Sequence, residues 1–175
     1  MYITVLPLKT CTLRLWHEGD EESLAVHANN RNVWINLEDR FPHPYTLQDA
    51  RNWVRRAHED PNQLNLAIVV EGKAVGGIGL VFLQDVYRHT AEIGYWLGEA
   101  YWGRGIATEA VKAVTEYVMG HFQIYRVQAR VFEWNRASYR VLEKAGYRLE
   151  GRLERHVTKD RKVTDENIFA VVRRD

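Results

Sequence analysis

Hydrophobic and polar positions alternate in short runs over much of this chain, and elsewhere the apolar positions recur with helical spacing. The segment Ile124–Phe132 alternates apolar with polar side chains, which predicts a half-buried strand. The segment Gly105–Met119 places apolar residues three and four positions apart, at Ile106, Ala110, Val111, Val114, Tyr117 and Val118. That spacing predicts an amphipathic helix directly before the strand.

The same reasoning predicts the other elements of the chain. A strand at Thr12–Leu15 precedes a helix that begins at the acidic segment Asp20–Leu24 and ends at Asn29–Asn32. Thr46 caps a second helix, with Asp49 three residues later. The later predicted elements are strands Leu66–Glu71 and Ala74–Phe82 around a turn at Gly72-Lys73, strand Ala91–Leu97, helix Arg136–Ala145 ended by Gly146, and strands near Arg155–Thr158 and Asn167–Val172 around a polar turn at Lys159–Asp165.

This order of elements predicts one mixed α/β (α+β) domain over residues 1–175. The strands at 91–97 and 124–132 are joined through a helix, and such a crossover makes a parallel pair. Hairpins join most of the other strands, so the central sheet should be mostly antiparallel with flanking helices.

Composition narrows the class of protein. Lys and Arg number 24 against 23 Asp and Glu, which gives no whole-chain reason to expect nucleic acid or an anionic membrane as a partner. The single cysteine, Cys11, excludes an internal disulfide and suits a reducing compartment. No apolar run approaches the length of a membrane span, and the first residues lack signal-peptide features. We therefore expect a cytoplasmic protein without membrane or nucleic-acid partners.

The segment Tyr101–Ala110 carries the first chemical signal. Gly103 and Gly105 form a turn that leads from a strand into the helix at 105–119. The first backbone N–H groups of a helix have no intrahelical partner and lie at its positive end, so such a turn can hold a phosphate. Tight packing is the alternative role for a turn of this composition.

A second helix start strengthens that interpretation. Asn135 follows the strand at 124–132 and is a natural N-cap for the helix at 136–145. If the two strands are parallel, both helix starts open at the same edge of the sheet. An extended, phosphate-bearing ligand can lie there.

These residues resemble a known family. Glu92–Leu97, Tyr101–Ala110 and the segment from Asn135 through Ser138 to Tyr147 are similar to GNAT-superfamily N-acetyltransferases, specifically the RimJ/RimL branch of ribosomal-protein N-terminal acetyltransferases. The resemblance implies the GNAT-like sheet, with its parallel strand pair splayed apart. It also implies acetyl-CoA as co-substrate, a primary amine as acceptor, no metal, and a monomer or homodimer.

The resemblance assigns the pyrophosphate loop to the segment from Trp102 to Ala107. The family's loop usually begins with Gln or Arg, and Trp102 stands there in this chain. The resemblance further implies that Asn135 hydrogen-bonds the pantetheine arm and that the backbone of 96–98 pairs with it. The full set expected to bind acetyl-CoA is Trp96, Leu97, Gly98, Trp102, Gly103, Arg104, Gly105, Ile106, Ala107, Thr108, Asn135 and Ser138.

Acyl transfer from a thioester to an amine requires a base, an oxyanion donor and stabilisation of the leaving sulfur. Glu92, in the strand at 91–97, is the expected base, and an ion pair with Arg126 or Arg130 is its structural alternative. The family's usual general acid is a tyrosine, and Leu142 stands at its position in this chain. Ser138 is therefore expected to donate a hydrogen bond to the sulfur, with Tyr139 as second choice. A backbone N–H near Leu97 is expected to hold the oxyanion.

The acceptor is expected to be a protein or peptide α-amino group, which is partly neutral near pH 7.7–8.0, whereas a lysine amine is not. A small amine, such as a polyamine, an amino acid derivative or an aminoglycoside, is the alternative acceptor. A catalytically silent CoA-binding module is the alternative outside enzymes. The residues expected to line the acceptor pocket are Trp34, Asn36, Arg40, Phe41, His43 and Tyr45, and apolar packing under the loop is the alternative for Trp34 and Phe41.

Overall fold

One sheet organises the described chain. The structure is a computed structural model that describes residues 5–174; residues 1–4 and 175 of the predicted domain lie outside that range. The strands are β1 (Val5–Pro7), β2 (Thr12–Leu15), β3 (Gln63–Val70), β4 (Lys73–Phe82), β5 (Thr90–Leu97), β6 (Arg126–Phe132), β7 (Arg148–Lys159) and β8 (Lys162–Val172). The helices are α1 (Glu21–Ala28), α2 (Arg31–Trp34), α3 (Leu47–Arg56), α4 (Ile106–His121) and α5 (Arg136–Lys144), with 3₁₀ turns at Asp85–Tyr87 and Glu99–Tyr101.

The strand order is β1-β2-β3-β4-β5-β6-β8-β7, and every neighbouring pair is antiparallel except β5 and β6. The parallel pairing of β5 with β6 covers three positions and ends where Glu92 lies opposite Gln128. Beyond that point the two strands separate. The predicted mostly antiparallel sheet with one splayed parallel pair is thus confirmed.

Helices cover both faces of the sheet. On one face, α4 packs Val111, Val114 and Val118 against a core that includes Ile93 and Leu97 of β5. On the other face, α1 and α3 pack with Trp96 in a second cluster. Alternate residues of β5 therefore contribute to opposite faces, as the pleat of a strand requires.

Two hairpins differ from the prediction. The β3–β4 turn consists of Glu71 and Gly72, both with positive φ, one residue before the expected pair. The closing strands β7 and β8 are much longer than expected, and a two-residue turn at Asp160–Arg161 replaces the predicted turn at 159–165. Polar side chains there indicated a loop, yet they belong to strand residues that form ion pairs, such as Asp165 with Arg152.

The N-terminal region contains two elements that the pattern did not predict, strand β1 and the short helix α2. Helix α1 ends at Ala28 as expected, but Asn30 then accepts hydrogen bonds from the N–H groups of Asn32 and Val33 and so caps α2. The predicted cap of α3 is confirmed, because Thr46 and Asp49 form a reciprocal capping box.

Candidate active site

A cavity of about 320 Å³ occupies the space where β5 and β6 separate, and we call it the wedge cavity. It lies between the ends of these strands and the N-terminal ends of α4 and α5. Its lining residues are Val33, Asn36, Leu37, Tyr95, Trp96, Leu97, Tyr101, Trp102, Gly103, Gly105, Ile106, Ala107, Thr108, Asn135, Ala137, Ser138, Arg140, Val141 and Lys144.

The first turn of α4 forms one wall of the wedge cavity. Gly103 and Gly105 have φ of 74° and 80°, a left-handed conformation that favours glycine. Gly105 is the N-cap of α4 and supplies no side-chain cap, so the first N–H groups of this helix have no intrahelical or capping partner. Because α4 is sixteen residues long, these groups lie at the positive end of a substantial helix dipole. This wall suits an anionic ligand.

The backbone of β5 forms the second wall. The Gly98 N–H donates to the carbonyl of Val75, so the groups of Gly98 complete the ladder with β4. Hydrogen-bonding directions alternate along a strand, and the backbone groups of Leu97 therefore point the other way, into the wedge. The Leu97 carbonyl accepts a hydrogen bond of 2.7 Å from the indole Nε1 of Trp102. The Leu97 N–H is directed toward the space that a ligand would fill.

The start of α5 forms the third wall. Asn135 is its N-cap, and its side-chain oxygen accepts a hydrogen bond from the Ser138 N–H at 3.2 Å. The Ser138 hydroxyl lies 2.6 Å from the Tyr95 hydroxyl, and both side chains line the wedge cavity. Burial raises the pKa of Tyr95 to about 12, against a smaller lowering by the hydrogen bond with Ser138.

A second cavity, of about 350 Å³, has Glu92 in its lining, and we call it the acidic cleft. Glu92 lies three residues before Tyr95, so their side chains project from opposite faces of β5. The acidic cleft is lined by Glu38, Asp39, Glu92, Arg130, Phe132, His156, Val157, Thr158, Lys159 and Glu166.

Ion pairs hold the groups of the acidic cleft in place. Glu92 Oε2 accepts hydrogen bonds from Gln128 Nε2 at 3.0 Å and Arg130 Nε at 3.1 Å. Of the two structural partners expected for Glu92, the structure selects Arg130, since Arg126 pairs with Glu150 instead. Arg130 also contacts Glu166, whose side chain is nearly buried.

The structure brings ten of the twelve residues expected to bind acetyl-CoA into the wedge cavity. The two exceptions are Gly98, whose Cα faces the ring of His27, and Arg104, whose guanidinium lies over the ring of Tyr101 at 5.2 Å. Tyr139, the second choice for the acid, also lies outside: its hydroxyl is hydrogen-bonded to Asn167 and its ring packs on Phe169.

The residues expected in the acceptor pocket divide into several environments. Asn36 lines the wedge cavity and accepts a hydrogen bond from the indole of Trp134, and Arg40 forms an exposed ion pair with Glu38 at 2.6 Å. The four aromatic members line neither cavity: Trp34 stacks on His43, and Phe41 packs between Tyr45 and Trp96.

Trp34 nevertheless supports the acidic cleft. The buried ammonium of Lys159 lies 3.7 Å from the centre of the Trp34 ring and 2.8 Å from Asp39 Oδ1. A second ion pair joins Arg31 to Asp160 at 2.6 Å, so the segment 31–39 is fixed to the β7–β8 hairpin at two points. Trp34 thus contacts a residue of the cleft lining without lining the cleft itself.

Sequence reasoning missed Tyr95 and the part of the acidic cleft that comes from β7 and β8, and from β6 it anticipated only Arg130, as a partner of Glu92. The alternation of β5 places Tyr95 on the same face as Ile93 and Leu97, which is a signal for the wedge side, but its partner Ser138 is 43 positions away. A strand near 155–158 was expected, but the turn was expected at 159–165, so the register of β7 with β8 and the positions of Lys159 and Glu166 near Glu92 could not be predicted.

Comparisons with known proteins identify the family of this chain. The family model described as the acetyltransferase (GNAT) domain matches residues 11–148. The chain belongs to the GNAT acetyltransferases, and it is an acetyltransferase enzyme. It is similar to YjcK of Bacillus subtilis (strain 168), named as a probable N-acetyltransferase, with 29% identity over 161 residues that cover 89% of each chain.

Two solved structures share the fold. The ribosomal L7/L12 alpha-N-protein acetyltransferase RimL, in complex with coenzyme A, superimposes with a TM-score of 0.84 at 21% identity, covering 96% of this chain and 97% of that one. Mycobacterium smegmatis RimJ, in complex with a CoA disulfide, gives 0.83 at 23% identity, covering 96% and 86%. Within residues 5–174, no helix is both long and apolar enough to cross a membrane.

Proposed function

We propose that this enzyme transfers an acetyl group from acetyl-CoA directly to a primary amine, and that this amine is the α-amino group of a protein or peptide. The observation that carries the proposal is the splay of β5 and β6, beside which the wedge cavity and the acidic cleft lie. The wedge cavity has the walls that a phosphate-bearing thioester needs, and the acidic cleft has carboxylates that suit an ammonium.

Acetyl-CoA fits the wedge cavity by the chemistry of its walls. The open N–H groups at the start of α4 would hold the pyrophosphate, and Gly103 and Gly105 permit the backbone conformation that aims those groups at it. The backbone of β5 near Leu97 would pair with the amides of the pantetheine arm. Asn135 caps α5 through its oxygen, which leaves its amide N–H₂ to donate to that arm.

The amine would approach from the acidic cleft. Glu92 marks the end of the β5–β6 pairing, and its carboxylate can accept a proton from the ammonium directly or through water. An α-amino group asks little of this base, because its ordinary pKa of about 7.7–8.0 leaves part of it neutral at cellular pH. The ion pair with Arg130 fixes the carboxylate in place without excluding this role.

The transfer itself would be a single displacement in a ternary complex. The amine nitrogen forms a bond to the acetyl carbonyl carbon, and the carbon–sulfur bond breaks with its electron pair going to sulfur. The Leu97 N–H would donate to the carbonyl oxygen as negative charge develops on it. Ser138, on the wedge side, would donate to the sulfur.

Two observations favour a protein or peptide acceptor. The acidic cleft is broadly open to solvent, so an amine attached to a longer chain can enter it. RimL, which shares the fold, is named as an alpha-N-protein acetyltransferase. The carboxylates of the cleft would also suit a small polyamine, which is the second candidate acceptor.

Two measurements test the proposal. Isothermal titration calorimetry should show acetyl-CoA binding to the purified protein; absence of binding would contradict the assignment of the wedge cavity. Release of free CoA thiol should then be followed with peptides that have free N-termini, the same peptides N-formylated, and polyamines. Turnover with free peptides alone supports the proposal, turnover with polyamines alone favours the second candidate, and binding without turnover indicates a silent CoA-binding module.

A further inference from the structure

Tyr95 and Ser138 form a hydroxyl pair within the wedge cavity. Their oxygens are 2.6 Å apart, which is a short and well-formed hydrogen bond, and Tyr95 is otherwise packed against the core under α5. The Tyr95 hydroxyl also lies 3.4 Å from the backbone carbonyl of Ser138. A carbonyl can only accept, so the phenol faces two acceptors on one residue.

The 2.6 Å contact permits either hydroxyl to donate, and the chemistry of the two groups favours Tyr95 as the donor. A phenol is a stronger hydrogen-bond donor than an aliphatic alcohol, and both neighbouring oxygens on Ser138 can accept from it. When the Tyr95 O–H donates to Ser138 Oγ, the serine keeps its own proton for another acceptor. Ser138 lines the wedge cavity, so a ligand in that cavity can accept a hydrogen bond from this proton.

We propose that Tyr95 is a positioning residue that aims the Ser138 hydroxyl at the thioester sulfur, so that CoA leaves as a hydrogen-bonded thiolate. This inference rests on the proposed function and extends it. Ser138 then stabilises charge on sulfur and does not give up its proton. The sulfur keeps the electron pair of the broken bond, and the proton released by the amine goes to Glu92 or to water.

The acidities of the groups support a thiolate. A thiol has an ordinary pKa of about 8.5. The pKa of Tyr95 is raised to about 12, so its proton would move to a thiolate only against a difference of several units. A hydrogen bond to the thiolate has no such requirement.

The first experiment compares Tyr95→Phe with Tyr147→Phe. Tyr147 is a matched control, because its buried hydroxyl is likewise paired with a hydroxyl, Thr115 Oγ1 at 2.7 Å, but it lines no part of the wedge cavity. Tyr95→Phe should lower kcat by about tenfold, the effect of one well-aimed hydrogen bond, with acetyl-CoA affinity within about twofold of wild type. Tyr147→Phe should leave kcat unchanged. Equal effects of the two variants would overturn the proposal.

A double-mutant cycle shows whether Tyr95 acts through Ser138. Ser138→Ala should lower kcat at least as much as Tyr95→Phe, and the double variant should be no slower than Ser138→Ala alone. Multiplicative losses would mean that the two hydroxyls act separately and would contradict a positioning role. Ser138→Thr, which retains a hydroxyl, should recover part of the rate.

The second experiment measures the pKa of the CoA thiol bound in the wedge cavity. Ultraviolet absorbance of the thiolate, followed during a pH titration of CoA bound to each variant, gives the pKa of the bound thiol. The titratable groups that line the cavity are Tyr95, Tyr101, Arg140 and Lys144, and both cationic residues remain in every variant. The bound thiol should have a lower pKa in wild type than in Tyr95→Phe, by about one unit. No difference would overturn the inference, whereas failure of the proposed function would appear earlier, as wild-type protein that binds no CoA.

Discussion

At the scale of single residues, two glycines share one backbone conformation, but their substitution should affect ligand binding differently. Gly105 has φ of 80° at the start of α4, and Gly72 has φ of 77° in the β3–β4 turn. At both positions a Cβ would meet no atom within 4 Å, so neither is required by crowding within the protein. Of these two glycines, Gly105 lines the wedge cavity and Gly72 does not.

Gly105→Glu should therefore abolish measurable acetyl-CoA binding, because it places bulk and negative charge where the pyrophosphate would lie. Gly72→Glu carries the same backbone strain and the same charge outside the cavity, so it should bind acetyl-CoA as wild type does. Calorimetric titration of both folded variants is the measurement. If Gly105→Glu retained its affinity for acetyl-CoA, the phosphates would have to bind at a place other than the start of α4.

Glu92→Gln tests the base at the same scale. The amide keeps the size of the side chain but cannot accept the amine's proton, so kcat should fall by about 10²–10⁴-fold with little change in acetyl-CoA affinity. Glu150→Gln is the control, because Glu150 is paired with Arg126 on the same sheet outside both cavities. Full activity of Glu92→Gln across a pH profile would leave Glu92 with the structural role alone.

Motif residues could be predicted from sequence because their signals are local. The glycine turn and Asn135 each stand directly before a helix, and their spacing places both helix starts at one sheet edge. Tyr95 and the acidic cleft could not be predicted in this way, because they depend on contacts between distant segments, such as Glu166 with Arg130. The closing hairpin was predicted, but the full length of β7 and β8 was missed for a related reason: ion pairs across strands allow polar residues to occupy an edge of the sheet.

At the scale of elements, one buried carboxylate fixes α1 to the sheet. Asp20 is the N-cap residue of α1, but its side chain makes no cap bond and instead accepts two hydrogen bonds of 2.7 Å from the Arg14 guanidinium of β2. Burial by itself would raise the pKa of Asp20, yet the bonds from Arg14 and from the His17 N–H outweigh it and lower the pKa below its ordinary 3.8.

Asp20→Asn should consequently destabilise the protein by about 2 kcal/mol at neutral pH, the loss expected for hydrogen bonds to a charged group. Because the pKa of Asp20 is lower in the folded state than in the unfolded state, its contribution is fully present above about pH 4 and is lost as the pH falls through the folded value. The difference in unfolding free energy between wild type and variant should shrink accordingly in acid. Urea titrations at several pH values measure it, and a difference independent of pH would exclude this linkage.

At the scale of the whole molecule, the net charge is nearly balanced, but the charged side chains are unevenly distributed. Four carboxylates line the acidic cleft, against the two permanent cations Arg130 and Lys159. Both cations are already engaged by carboxylates within the cleft. The wedge cavity thus suits an anionic substrate, and the acidic cleft, on the other side of the splay between β5 and β6, suits a cationic one.

This separation predicts a preference among peptide acceptors. Of two peptides that differ only in a second residue of Lys or Glu, the Lys peptide should have the higher kcat/KM, by about three- to fivefold, which is the size of effect expected from partly exposed charges. Added salt should reduce the ratio.

Glu38→Lys, at the rim of the cleft, should reduce or reverse this ratio of kcat/KM values without changing the KM for acetyl-CoA. Glu59→Lys makes the same charge change at an exposed position outside the cleft and should leave the ratio intact. Equal rates for both peptides in wild type would mean that the carboxylates of the cleft recognise only the reacting amine.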